Sequence, residues 1–344
     1  MQIGKFIIGP EHRPFIIAEL SGNHNGDVER ALDIVRAAAH AGAHALKLQT
    51  YTADTLTIDA RGGLFDITNE ESLWRGKNLY QLYEEAHTPW EWHEPIFKLA
   101  RELGMTAFSS PFDETAVDFL EDLDVPAYKI ASFESAHHPL LRKVAATGKP
   151  VIISSGASRL DDLYESVRVL HEAGAGEICV LKCTSTYPAT AENTNLRTIP
   201  VLQQLFPDCI VGLSDHTMGI GVSVAAVALG ASVIEKHFTL RRADGGVDSA
   251  FSLEPDELAS LVTETERAWQ GLGGIQLDTQ KAEEKSRQFK RSIYVVEDIA
   301  KGDTFTPQNL RVIRPGDGMA PKYYEQTLGK VARQSYRRGT PFQG

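Results

Sequence analysis

A (β/α)8 barrel (a TIM barrel, class α/β) followed by a small β-rich domain is the architecture this sequence predicts, and three observations predict it. Eight short apolar runs each end in polar residues, helical periodicity fills the stretches between them, and that rhythm stops after Gly274. The runs are IIAEL (16–20), ALKLQ (45–49), MTAFSS (105–110), AYKI (127–130), VIISS (151–155), ICVLK (178–182), CIVGL (209–213) and ASVI (231–234). Continuous apolar runs of this length suit strands buried on both faces, as parallel strands are.

The first intervening helix is expected over 28–42, where Ala31, Ile34, Val35, Ala38 and Ala41 share one face. Asp27 is its expected N-cap and Gly42 its stop. Further helices are expected in WHEPIFKLARELG, DETAVDFLEDLD, LLRKVAATG, LDDLYESVRVLHEAG, LRTIPVLQQLF and GIGVSVAAVALG, with a closing helix at 255–271. No glycine-rich dinucleotide fingerprint follows the first strand, so a closed barrel fits better than an open doubly wound sheet. The long gap from Gln49 to Met105 is expected to be a substrate-covering loop with one helix. The domains are expected at 1–275 for the barrel, 276–288 for a charged linker and 289–344 for the small domain, whose Lys301-Gly302-Asp303 and Pro315-Gly316-Asp317-Gly318 are turn signals.

Composition narrows the function classes. The chain has 344 residues, 42% hydrophobic, with 35 basic against 46 acidic side chains and a net charge of −11. This balance argues against a nucleic-acid partner, and no apolar run reaches the roughly 20 residues of a membrane span. The start shows no secretory-signal pattern, so a cytoplasmic location is expected, with Cys179, Cys183 and Cys209 as reduced thiols.

In a barrel of this kind the C-terminal strand ends converge on one mouth, so their polar residues form a site prediction. They are Glu19, Ser21, Asn23 and His24; Lys47 and Gln49; Ser109 and Ser110; Lys129, Ser132 and Glu134; Ser154 and Ser155; Lys182, Thr184, Ser185 and Tyr187. The last two strands contribute Ser214-Asp215-His216-Thr217 and Glu235-Lys236-His237-Phe238. Four lysines with many hydroxyls suggest a positive pocket for an anionic substrate such as a phosphorylated carboxylate. Two imidazoles on adjacent strands suggest a divalent metal, although a structural hydrogen-bonding role explains them equally well on these grounds. The serines read equally as caps or turn residues, and Tyr187-Pro188 as a loop anchor, whereas Glu19, Lys47 and Lys129 inside or after apolar runs call for a functional explanation. A metal-dependent hydrolase would need a fuller ligand set than these strand ends offer. A carbohydrate-binding protein is the other rival.

The ordered motifs IAELSGNHNGD, LKLQTY, FSSPFD, YKIASFE, SSGAS, LKCTSTYP, GLSDHT and EKHFTL, with RSIYVVEDIAKGD and RVIRPGDGMAP in the tail, resemble the sialic acid synthase family over essentially the full length. That family condenses phosphoenolpyruvate with an open-chain N-acylated amino sugar and ends in an antifreeze-like (SAF) domain. Gly245–Ser252 is similar to the branch that makes pseudaminic acid, where the N-acetylneuraminate branch tends to have Gly-Pro-Asp-His. The resemblance implies 2,4-diacetamido-2,4,6-trideoxy-L-altrose as acceptor, with N-acetylneuraminate or legionaminate synthesis as the alternative. It implies that His216 and His237 hold Mn2+ or Mg2+, and that Lys47, Lys129, Ser132, Ser154, Ser185 and Ser214 contact phosphoenolpyruvate. Gln49, Glu134 and Tyr187 would face the sugar, joined by Arg314 from the partner of a domain-swapped homodimer. Glu19 and Asp248 would be the acid/base carboxylates.

Overall fold

Eight parallel strands close into a barrel in the computed structural model, which describes residues 1–70 and 72–344. They are β1 (Phe15–Glu19), β2 (Ala45–Thr50), β3 (Thr106–Pro111), β4 (Tyr128–Ile130), β5 (Val151–Ser154), β6 (Ile178–Cys183), β7 (Ile210–Ser214) and β8 (Val233–His237). Each pairs with its sequence neighbour, and β8 closes the ring by pairing with β1 from Val233↔Phe15 to His237↔Glu19. The strands keep to the apolar runs because the core covers both faces; Ile16, Ile17, Leu46, Leu48, Ile152, Ile153, Val180 and Leu181 are all fully buried. Only the eighth runs well past its expected end, carrying Glu235, Lys236 and His237 into the barrel wall.

The outer helices are α1 (Val28–His40), α2 (His93–Glu102), α3 (Glu114–Asp122), α4 (His138–Ala145), α5 (Leu160–Glu172), α6 (Thr198–Leu205), α7 (Gly221–Ala228) and α8 (Pro255–Leu272). For α1, Asp27 accepts from the Glu29 amide at 2.9 Å, and Ala31, Ile34, Val35 and Ala38 are buried on one face. Gly42 turns the chain with φ +90°, a conformation a side chain disfavours, and a Cβ there would touch Val262 of α8. The hairpin of Gln2–Ile3 and Phe6–Ile7 lies at the N-terminal ends of the strands, where the Met1 ammonium pairs with Glu177 at 2.9 Å and Ile3 and Ile8 enter the core.

The segment between β2 and α2 carries more structure than the single helix expected. It contains Ala53–Leu56, a 3-10 turn at Gly63–Phe65 and the helix Leu79–Ala86. The one-turn helix was hidden because its Thr52 cap and Thr55 hydroxyl hold it by local hydrogen bonds, leaving no periodic stripe to read.

Two compact units divide the chain, Met1–Gly273 and Gly274–Gly344. The second holds the 3-10 helix Lys281–Phe289 and an antiparallel pair, β9 (Ser292–Val295) and β10 (Leu310–Ile313). Its own core is Ile293, Val295, Ile299, Phe305, Leu310, Ala332 and Phe342, extended by isolated bridges such as Ile299↔Tyr336 and Thr304↔Val331. Among the described residues no helix is long and apolar enough to cross a membrane.

Candidate active site

The register of the barrel sets His237, Glu19 and Lys47 side by side, since His237 pairs with Glu19 across β8 and β1 and Glu19 with Lys47 across β1 and β2. Alternation along a strand then decides which side chains meet. Lys47 and Gln49 share one face of β2, and both reach Glu19 Oε1 at 2.9 Å. Glu235 and His237 share one face of β8: His237 Nε2 lies 3.2 Å from Glu19 Oε2, and Glu235 lies 3.4 Å from Lys47 and 3.6 Å from Lys129. Ser214 donates to Glu235 Oε1 at 2.9 Å, and Lys129 donates to Ser154 Oγ at 2.7 Å. Lys47 and Lys129 are each only 2% exposed.

Lys236, between those two inward residues, faces the other way. It pairs with Asp215 at 3.1 Å and donates to the Thr217 and Gly219 carbonyls, tying together the turn after β7. Lys182 likewise donates to its neighbour Thr184. The expected four-lysine positive pocket is therefore two lysines facing two carboxylates, Glu19 and Glu235.

Burial in this cluster opposes every charge, and the partners overcome it at Glu19 and Glu235 but not at Lys129 or Asp248. Burial alone would raise Glu19, but His237 and the Lys47 and Lys129 cations hold it well below the carboxylate range, and Glu235 is lowered by the same two lysines against its own burial. For Lys129 burial wins, and its proton affinity falls despite Glu235. Asp248 is pushed up to about 7, first by burial and then by the Glu19 charge, and Ser21 donates a short hydrogen bond to it. Glu134 is also raised to about 7, by burial, and its Oε2 is buried without a hydrogen-bond partner among the described residues.

The two imidazoles are neighbours, with ring centroids 5.2 Å apart. Burial lowers His237 to about 4, so it is neutral at physiological pH, and among the described residues nothing hydrogen-bonds its buried Nδ1, which lies 4.0 Å from Asp248 Oδ2. A neutral imidazole with a free lone pair and a second imidazole beside it offer two nitrogen donors of the kind a divalent cation accepts. Among the described residues no group of three or more His, Cys, Asp or Glu is arranged to hold a metal ion, so the two imidazoles alone would anchor one here.

The turns after β4, β5 and β6 meet around Gly156. A Cβ there would collide with Ser185 Oγ and Ser132 Oγ and crowd Cys183 Sγ, so only glycine leaves these groups their shared space. Cys183 Sγ accepts from Ser132 at 3.4 Å and lies 3.7 Å from Ser185 Oγ and 3.9 Å from His216 Nδ1. Burial would raise this thiol, but the His216 contact outweighs it and brings it to about 7.

Glu19, Lys47, Gln49, Lys129, Ser132, Ser154, Ser185, Tyr187, Ser214, His216, His237 and Asp248 thus form one connected constellation, with Tyr187 4.7 Å from His216 between ring centroids. Glu134 is near enough to feel the Lys129 charge. Arg314 lies exposed on the second unit. Ser109 is spent in the wall, bonded to Thr50 at 2.6 Å. Sequence reasoning placed Glu235 at the strand ends without a role there, and gave none to Cys183, Phe251 or Trp74. For Glu235 the signal was available, because a strand that presents His237 inward presents Glu235 inward too. Phe251 packs on His237 at 4.9 Å, and no spacing rule marks it.

A (β/α)8 barrel with a buried acid, base and imidazole cluster at its strand ends defines an enzyme. The chain belongs to the NeuB family, whose model matches residues 34–276, and a SAF domain matches residues 290–344. It is 44% identical to the pseudaminic acid synthase of Campylobacter jejuni, covering 98% of this chain and 97% of that one. The pseudaminic acid synthase of Helicobacter pylori is 40% identical, over 95% and 96%. A crystal structure of N-acetylneuraminic acid synthetase from Leptospira borgpetersenii superposes with a TM-score of 0.74 at 32% identity, covering 83% of this chain and 94% of that one.

Proposed function

We infer that this enzyme is a transferase that condenses phosphoenolpyruvate with 2,4-diacetamido-2,4,6-trideoxy-L-altrose and water, releasing phosphate and pseudaminic acid. The observation that carries the reading is the unbroken buried chain Lys129, Glu235, Lys47, Glu19, His237 and Asp248, which joins an anion-binding end to a carbonyl-activating end. Its similarity to pseudaminic acid synthases over nearly the whole chain selects the sugar.

Lys47, Lys129, Ser132, Ser154, Ser185 and Ser214 bind the enol phosphate, whose negative charge takes over from Glu235 as partner to the lysines. Gln49, Glu134 and Tyr187 hold the open-chain sugar, with Arg314 supplied by the partner subunit of a domain-swapped homodimer. His216 and His237 would hold Mn2+ or Mg2+, which supplies Lewis acidity at the aldehyde oxygen. Carbon 3 of phosphoenolpyruvate forms the new bond to the aldehyde carbon, and Asp248, half protonated near neutrality, delivers a proton to the emerging alkoxide. Water then adds to carbon 2 and its proton passes to Glu19, which its cationic neighbours keep ionised. The remaining hydroxyl on carbon 2 gives its proton to the departing phosphate as the C–O bond to phosphate breaks, leaving the ketone. Holding both reactants over one layer of side chains supplies much of the rate. A cytoplasmic location belongs to the same reading.

The test is phosphate release from phosphoenolpyruvate with a panel of acceptors, with mass detection of the nine-carbon product. Release that requires the trideoxy sugar and a divalent cation supports the reading. Release without any acceptor, or faster turnover of N-acetylmannosamine, rejects it.

A further inference from the structure

Trp74 belongs to the long rim segment after β2, yet it is fastened to the loop after β8. Its indole Nε1 donates to the Val247 carbonyl at 2.9 Å, one residue before Asp248. Its ring lies 5.8 Å from that of Tyr187, which in turn lies 5.4 Å from Phe251 and 4.7 Å from His216. Phe251 closes the row against His237 at 4.9 Å. A wall of three aromatic rings therefore runs from the rim to the imidazole pair, built from three segments far apart in sequence.

The wall's chemistry is one-sided. The indole has a single donor, and Val247 consumes it, so Trp74 offers a ligand only its π-face and ring edge. Phe251 has no polar atom, and it is 1% exposed, so it backs the wall while Trp74 and Tyr187, both half-buried, present it. The Trp74 face favours methyl and C–H groups, whereas a hydroxyl placed against it loses water and gains no partner.

We propose that Trp74 is a specificity-determining residue that packs on a methyl-bearing part of the acceptor and so selects a 6-deoxy sugar over its 6-hydroxy counterpart. This rests on the acceptor assigned under the proposed function, because that sugar ends in a methyl group where common hexosamines carry a hydroxyl. It adds a residue from the rim segment to those facing the sugar, and gives that segment a chemical task beyond covering the mouth.

The experiment compares kcat/KM for the trideoxy acceptor and for the 6-hydroxy sugar of the same configuration, in the wild type, Trp74→Ala and Trp74→Phe. The wild type should prefer the deoxy sugar by about 10- to 100-fold, the range one methyl-sized difference supports in an apolar site. Trp74→Ala should reduce that preference about tenfold, with the KM for phosphoenolpyruvate unchanged, and Trp74→Phe should retain part of it. Equal losses on both acceptors in Trp74→Ala, with the preference intact, would make the indole a strut for the Val247 loop and overturn the proposal. A wild type that turns over neither sugar overturns the assigned acceptor and this inference with it. A wild type that prefers the 6-hydroxy sugar, with the preference unaltered in both variants, removes Trp74 while leaving condensation chemistry intact.

Discussion

Glu134→Gln should remove a pH-dependent destabilisation of the barrel. In the folded enzyme burial raises this carboxyl from its ordinary 4.5 to about 7, and none of the described residues hydrogen-bonds its Oε2. Between those two values the unfolded chain has released the proton while the folded chain retains it. Stability from this group is therefore complete below 4.5 and is lost as pH rises through about 7. The rise from 4.5 to about 7, at about 1.4 kcal/mol per pH unit, gives an upper figure of ~3.5 kcal/mol, reduced to the extent that water reaches the side chain. Glutamine cannot ionise, so the variant should gain on the wild type by roughly 2–3 kcal/mol between pH 4.5 and pH 8.5. Denaturant unfolding followed by tryptophan fluorescence reads the barrel alone, since Trp74, Trp90, Trp92 and Trp269 all lie before Gly273. A stability difference between the two proteins that stays constant across that pH range would refute the reasoning.

Glu19→Gln should lower turnover by about 10²–10⁴ with phosphoenolpyruvate binding largely retained, since a proton acceptor is lost and the layer's shape is kept; wild-type rates in steady-state assays would exclude the role. His237→Ala should abolish turnover that a chelator suppresses in the wild type, and chelator-resistant wild-type activity would remove the cation from the scheme. Lys236→Met should destabilise the barrel by about 3–5 kcal/mol in denaturant titrations, because Asp215 is left buried without its cation. Arg314→Ala should raise the KM for the sugar while sparing that for phosphoenolpyruvate, and unchanged constants would leave the SAF domain a structural role only.

The fold was legible because a strand covered on both faces writes itself as an apolar run, and the site because a barrel gathers strand ends. What the eye could not extract was parity at the mouth. Lys47 and Lys236 both follow apolar stretches, yet one faces the reactants and the other braces a turn through Asp215. Strand β8 continues past its apolar residues into Glu235, Lys236 and His237, so hydrophobicity ended two or three residues before the hydrogen-bond ladder did. Trp74 and Phe251 join the mouth by tertiary contact alone. Nothing local to WRGKN or SAFS reports a shared wall.

The seam where β8 meets β1 brings Glu19 within reach of His237, residues from opposite ends of the barrel sequence. A nascent chain halted at seven strands owns Lys47, Lys129 and Glu19 but lacks Glu235 and both the final imidazole and the Asp248 carboxylate. The connected cluster of lysines, carboxylates and imidazole therefore closes only when the last strand enters the ring.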